Sequence, residues 1–241
     1  MTVLYEDNHI IIVNKQAGEI VQGDKTGDTP LVETVKQYIK EAYAKPGNVF
    51  LGVVHRLDRP VSGAVIYART SKALARLNEM FRKNEVHKTY WAIVERNEKI
   101  RMKNEEFNID DYKRNQNSSI RLDHWLVRNE KQNKSYAYDH EVPNSKKAIL
   151  EYRVLAEGEH YNLVEVDLKT GRHHQIRCQL AAVGMPIRGD LKYGARRNNP
   201  DGSISLCAHS IEFDHPVSHQ HIHVEAPLPD NWPIKYPSIS S

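Results

Sequence analysis

The sequence predicts an α+β fold in one domain spanning residues 1–241, on three observations. Short apolar and β-branched runs outnumber helical ones. They do not alternate regularly with helices, as a doubly wound sheet requires. Turn residues separate the last runs, which read as strand after strand.

Each element has its own justification. Tyr5–Asn8 reads as a turn and His9–Val13 as a β-branched strand, closed by Asn14-Lys15-Gln16-Ala17-Gly18. Over Thr29–Ala44, Leu31, Val32, Val35, Ile39 and Tyr43 recur at helical spacing. Thr29 is the expected N-cap with Pro30 in the first position, and Lys45-Pro46-Gly47-Asn48 stops the helix. Val49–Val54 and Ala64–Ala68 are short apolar strands. Thr70 or Ser71 caps a second helix running to about Lys83, with Leu74, Leu77, Met80 and Phe81 on one face. Lys88–Glu95 is a further strand.

Residues 97–123 are polar and almost without aliphatics, which predicts an exposed insertion or long loop. Packing resumes at Trp125, Leu126 and Val127. Ala148–Leu155 and Tyr161–Leu168 read as paired strands around Glu157-Gly158-Glu159. His173–Val183 is a short helix ended by Gly184, with Pro186 beyond it. Ile204–Phe213 and His221–Ala226 are the last strands.

Composition excludes several classes. Apolar residues make up 39% and charged residues 27%, with a mean hydropathy of −0.65, a polar but globular balance. The longest aliphatic run is Ile10–Val13, too short for a membrane helix. The N-terminus has neither a basic nor an apolar leader region, so a cytoplasmic protein is expected. Two cysteines, Cys178 and Cys207, exclude a disulfide framework and a cysteine-rich zinc site. The net charge of +3 permits a nucleic-acid partner without indicating one. The charge is uneven, however: His55–Trp91 carries eight Lys/Arg against three Asp/Glu and Asp167–Arg197 seven against two, so the rest is net acidic.

Four constellations could carry chemistry. In His55-Arg56-Leu57-Asp58-Arg59-Pro60-Val61-Ser62-Gly63, Pro60 and Gly63 mark a tight loop between strands. Asp58 stands between two guanidinium groups, which favour its ionised form and suit a nucleophile or general base. A surface loop of solvated ion pairs fits the same residues. In Gly171-Arg172-His173-His174-Gln175-Ile176-Arg177, basic side chains gather at a helix N-terminus, a place for a phosphate or carboxylate or simply a basic helix start facing water. Tyr90, in an apolar strand, suits stacking on a base or packing in the core. His209, His215, His219, His221 and His223 cluster late in the chain, and the last three alternate as on one strand face. With no acidic residue inside His219–His223 and no His-Glu-x-x-His, a solvated face is expected rather than zinc. Both cysteines are expected to pack as small apolar residues.

The first two motifs together, continuing to Gly184-Met185-Pro186-Ile187-Arg188-Gly189-Asp190 and on to Gly194, resemble the RluA-type pseudouridine synthases in order and spacing. Asn14–Gly18, Lys88–Tyr90 and Trp125–Ser135 extend the resemblance over essentially the whole chain. It implies a pseudouridine synthase fold with a mixed, largely antiparallel sheet, flanking helices and a central cleft. It implies Asp58 as catalytic aspartate, Tyr90 as the tyrosine that stacks on uracil, and Arg177 as the arginine that pairs with Asp58. Ile176 is implied to line the uracil pocket and Arg56 to help hold the place of the flipped-out nucleotide. Arg59, Arg172 and His174 are expected to bind substrate beside them.

Gln16, Val61, His173, Cys178 and Gln179 depart from the family's common residues, outside the Asp58, Tyr90 and Arg177 set. Those departures bear on RNA specificity. The resemblance further implies structured RNA, ribosomal or transfer, as partner, and no metal or organic cofactor. A monomer acting without an added N-terminal RNA-binding domain is expected. An RNA-binding protein without catalysis and a metal-dependent hydrolase using the C-terminal histidines are the competing readings.

Overall fold

The computed structural model describes residues 1–96 and 119–232. They form an α+β fold in which every strand pair of described register is antiparallel, divided into two compact units.

The first unit comprises Met1–Thr89, Asp201–Ser203 and Ala208–Pro227. Its sheet runs β1 (Thr2–Glu6), β2 (Ile10–Lys15), β4 (Ser62–Ala68) and β10 (Leu206–Asp214). The short β3 (Gly52–Val53) pairs with β4, and β11 (His221–Glu225) pairs with β10. Strand β2 is buried along its whole length, which is why it reads as a continuous apolar run and not an alternating one. Ile10, Ile12 and Ile66 pack with Leu77, Phe213 and Val224 in the core.

Helix α1 (Leu31–Ala42) starts one residue later than expected, and Thr29 does not cap it. Pro30 holds the cap position, while the carbonyls of Ile20 and Val21 accept from the N–H groups of Leu31 (2.7 Å) and Val32 (3.3 Å). Backbone thus does what a threonine side chain was expected to do. In α2 (Ser71–Arg82) the expected cap is present, and Thr70 Oγ1 accepts from the Ala73 N–H at 3.1 Å. The strand expected over Val49–Val54 is only Gly52–Val53, paired with Ala68 and Tyr67. Of the turn expected at Tyr5–Asn8, Tyr5 and Glu6 belong instead to β1, paired with Ile12 and Ile11; the turn centres on Asp7, whose carboxylate accepts from the N–H groups of His9 and Ile10.

The second unit comprises the described residues of Tyr90–Pro200, Ile204–Cys207 and Leu228–Ser241. Its strand order is β5 (His87–Glu95), β9 (Tyr161–Leu168), β8 (Lys146–Glu157), β6 (Ile120–Asn129) and β7 (Lys134–Tyr138). Most of the expected insertion, residues 97–118, lies outside the described residues. Its last part, Ile120–Asp123, is strand and not loop: it pairs with Tyr152–Ile149 of β8, and Leu122 is buried. Helix α3 (Gln175–Ala182) is shorter than expected at both ends. It packs on β6 and β7, where Leu126, Ala148, Cys178 and Tyr193 form a small core.

Candidate active site

In the first unit, Asp58 lies on the loop before β4, and the backbone of that loop is held from below. The Val61 N–H donates to the Asp58 carbonyl at 3.0 Å, closing a turn. Lys15, wholly buried at the end of β2, directs its Nζ at four carbonyl oxygens: Gln16 (3.1 Å), Asp58 (3.2 Å), Arg59 (3.1 Å) and Val61 (2.6 Å). The Gly18 N–H takes the Arg59 carbonyl at 2.8 Å as well. Asn14–Gly18 is therefore the latch of the Asp58 loop, although some forty residues separate them. Burial lowers the Lys15 pKa to about 8, with the nearby carboxylates of Glu19 and Asp58 opposing the shift.

Two further residues fix the ends of this loop. His55 Nε2 accepts the Ile66 N–H at 3.0 Å, and its ring stacks on Phe81 with centroids 5.0 Å apart. Burial, reinforced by Lys88, pushes its pKa down to about 3. It is thus a neutral anchor with its proton on Nδ1, not a general base. Gly63 has φ +117°, and a Cβ there would stand 2.3 Å from the Ala208 carbonyl oxygen, so only glycine fits where β4 meets β10.

The two arginines flanking Asp58 have different surroundings. Arg59 turns toward the preceding loop, where Nη2 contacts Asp28 Oδ2 at 2.6 Å and Thr26 Oγ1 at 2.8 Å. Arg56 is exposed.

In the second unit, Tyr90 is buried on β5, and Ile176 and Arg177 are buried on α3. Arg177 meets a partner that the sequence did not indicate. Asp190 grips it with Nε–Oδ2 at 2.7 Å and Nη2–Oδ1 at 2.9 Å, while the Tyr193 ring lies 5.1 Å from its guanidinium carbon. The Tyr193 hydroxyl accepts from the Ser135 N–H at 2.8 Å and meets His174 Nδ1 at 3.0 Å. His174 stacks on His173 with centroids 3.8 Å apart, and His173 Nδ1 lies 2.9 Å from Ser135 Oγ.

The start of α3 is therefore not a basic end facing water. His174 has φ +50°, a left-handed conformation rare for a residue with a Cβ, and the surrounding network holds it there. Arg172 remains at the surface, its Nε donating to the Lys147 carbonyl at 3.0 Å. Gln175 ties the helix to β8 through the Ile149 carbonyl at 3.0 Å, and Gln179 does so through that of Ala148 at 3.2 Å.

Asp190 and Tyr193 were visible as letters of the closing motif, but nothing in their spacing revealed that they embrace Arg177. Lys15 offered one signal: a charged residue ending an otherwise apolar strand.

The histidine-rich segment differs from expectation in one respect. Only His221 and His223 share a face of β11, where they lie beside Glu212. His219 precedes the strand with φ +61°. No three His, Cys, Asp or Glu side chains among the described residues gather as metal ligands. Cys178 is buried, which pushes its thiol up to about 12, and Cys207 is buried too.

The arrangement provides a carboxylate on a tightly latched loop in one unit. In the other it provides a guanidinium held rigid on a buried helix by Asp190 and the Tyr193 ring, next in sequence to the buried Ile176. Comparison with known proteins gives the family. The family described as RNA pseudouridylate synthase matches over residues 9–182. The chain is 31% identical to the tRNA pseudouridine synthase C of Salmonella typhi, across 96% of this chain and 87% of that protein. It is 32% identical to the uncharacterized RNA pseudouridine synthase YhcT of Bacillus subtilis, across 95% and 69%. It is 30% identical to the ribosomal large subunit pseudouridine synthase C of Vibrio cholerae, across 94% and 65%. In fold it is similar to human RNA pseudouridylate synthase domain containing 4, with a TM-score of 0.72 at 21% identity over 95% of this chain and 89% of that one. The chain belongs to the RNA pseudouridylate synthase family, a family of isomerases.

Proposed function

We propose that this enzyme converts uridines of ribosomal or transfer RNA to pseudouridine with Asp58 as the catalytic carboxylate. The observation that carries the assignment of Asp58 is its loop: three of its carbonyls converge on one buried ammonium, a rigidity suited to aiming a side chain. The names of the relatives, one acting on transfer RNA and one on the large ribosomal subunit, support the substrate class.

The chemistry is an isomerisation. The N1–C1′ bond breaks, the base rotates, C5 joins C1′, the C5 proton leaves and N1 gains a proton. The uridine must leave its stack, at a cost of a few kcal/mol. Tyr90 returns about 1–3 kcal/mol by stacking on the uracil. Arg177 serves as the arginine that orients the catalytic carboxylate during the reaction, and Ile176 lines the uracil pocket. Arg56, Arg59, Arg172 and His174 hold the RNA around the target. Asp58 acts either by attack at C1′ or by starting a proton-abstraction route. The reading includes a monomeric cytoplasmic enzyme working without a cofactor.

A gene deletion tests it. RNA from the deleted strain should lack one or more pseudouridines, and the purified protein should restore them. A full complement of pseudouridines in that RNA would reject the proposal.

A further inference from the structure

The second unit contains a cavity of about 330 Å³ lined by Glu95, Arg96, Glu159, His160, Tyr161, Arg196 and Arg197. The lining includes three arginines, a histidine and one tyrosine, and Tyr161 also packs against the core of Trp91, Ile93 and Leu163. Of the two acidic members Glu95 is engaged, while Glu159 is exposed beside an exposed His160. Glu95 accepts the Arg196 N–H at 2.7 Å and lies 3.5 Å from its guanidinium, and Glu159 stands 3.8 Å from His160. Arg96 is fixed by the Gly158 carbonyl at 3.2 Å and by Glu157 at 3.6 Å. Arg188 lies 5.8 Å from the centroid of the Tyr161 ring. Arg197 is exposed.

We propose that this cavity is a second RNA subsite, one that takes a nucleotide other than the one being isomerised. Its backbone phosphate would be bound by Arg197 with Arg96 and Arg196, and its base would rest on Tyr161. The chemistry supports this ligand over a free small anion. Arginines suit phosphate oxygens through their forked donors, and an aromatic face beside them matches the alternation of charge and π-surface along a single strand. The inference rests on the RNA-modifying reading above, and it assigns a role to residues that the isomerisation does not use.

The test uses the full chain, a fluorescein-labelled RNA stem-loop with uridines in the loop, and two variants, Arg197→Ala and Tyr161→Leu. Pseudouridine formation in cellular RNA is measured in parallel. Arg197→Ala should weaken stem-loop binding several-fold and lower the slope of log affinity against log salt by about 0.7–0.9, the loss of one phosphate contact. Tyr161→Leu should weaken binding about five-fold or more with an unchanged salt slope. Single-turnover rates at saturating enzyme should match the wild type for both.

Unchanged affinity in either variant overturns the subsite. So does an equal loss of heparin binding in both variants, which would mark a general polyanion surface. A wild type that forms pseudouridine while both variants bind normally rejects the subsite alone. A wild type that forms none rejects the functional reading itself.

Discussion

Asp190 holds Arg177 by two parallel hydrogen bonds, Nε–Oδ2 at 2.7 Å and Nη2–Oδ1 at 2.9 Å, with both side chains almost fully buried. Such a forked pair fixes the guanidinium plane as well as its position. Under the proposed mechanism, an arginine that aims a reacting carboxylate gains from that fixity, because small misplacements near a reacting centre are costly.

Asp190→Asn should therefore lower turnover on the order of 100-fold while RNA affinity changes little. Breaking a buried pair should also cost about 3–5 kcal/mol of stability. Replacing both partners, Arg177→Met with Asp190→Leu, should restore most of the stability and none of the activity. Urea unfolding alongside single-turnover kinetics checks this. Full activity in Asp190→Asn would show that the clamp has no part in the chemistry.

Lys15→Met should deprive four carbonyl oxygens of their shared donor and loosen the Asp58 loop. Loss of both activity and stability is expected, the latter about 3 kcal/mol or more. The pH dependence has a definite sign. The folded-state pKa of Lys15 is about 8 against an ordinary 10.5. Between these values the unfolded chain holds the proton and the folded chain does not, so this group makes stability rise with pH across that window. Unfolding midpoints from pH 8 to about 9.5 should climb in the wild type relative to Lys15→Met. Parallel curves would contradict the lowered pKa of Lys15.

His55 should make the protein acid-sensitive. Its folded pKa is about 3 against an ordinary 6.5. The stability it contributes is complete above 6.5 and is lost as pH falls toward 3, where the unfolded chain takes up the proton first. His55→Gln, which cannot titrate, should show a shallower loss over this range, although it starts from a lower stability at pH 7. An identical pH slope in the two proteins would remove His55 as the source.

Much of this architecture was legible in the sequence, and the exceptions share physical causes. Helix α2 and strands β5 and β9 lie within about a residue of expectation, because a true side-chain cap and long apolar runs define them. Strands β1 and β7 were not foreseen. Both are short and sit at the end of their unit's strand order, where half-exposed residues leave little alternation to read. The cap of α1 was misread because its acceptors come from Ile20 and Val21, ten residues upstream of the helix.

The candidate site divides in the same way. The residue types and motifs of the site were legible, since they are local in sequence. The supports were not: Lys15 beneath Asp58 and Asp190 beside Arg177 are contacts between segments that pattern alone does not connect. Arg59 is a further contact that pattern did not reveal, since its guanidinium meets Asp28 of the preceding loop.

Asp58→Asn tests the central claim most directly. The substitution keeps the size of the side chain and removes its charge and its nucleophilic oxygen. The purified variant and the wild type are each incubated with RNA from the deletion strain, and pseudouridine is quantified while RNA binding is measured in the same samples. The expected result is normal binding with no pseudouridine formed by the variant. Pseudouridine formed at the wild-type rate by Asp58→Asn would contradict it.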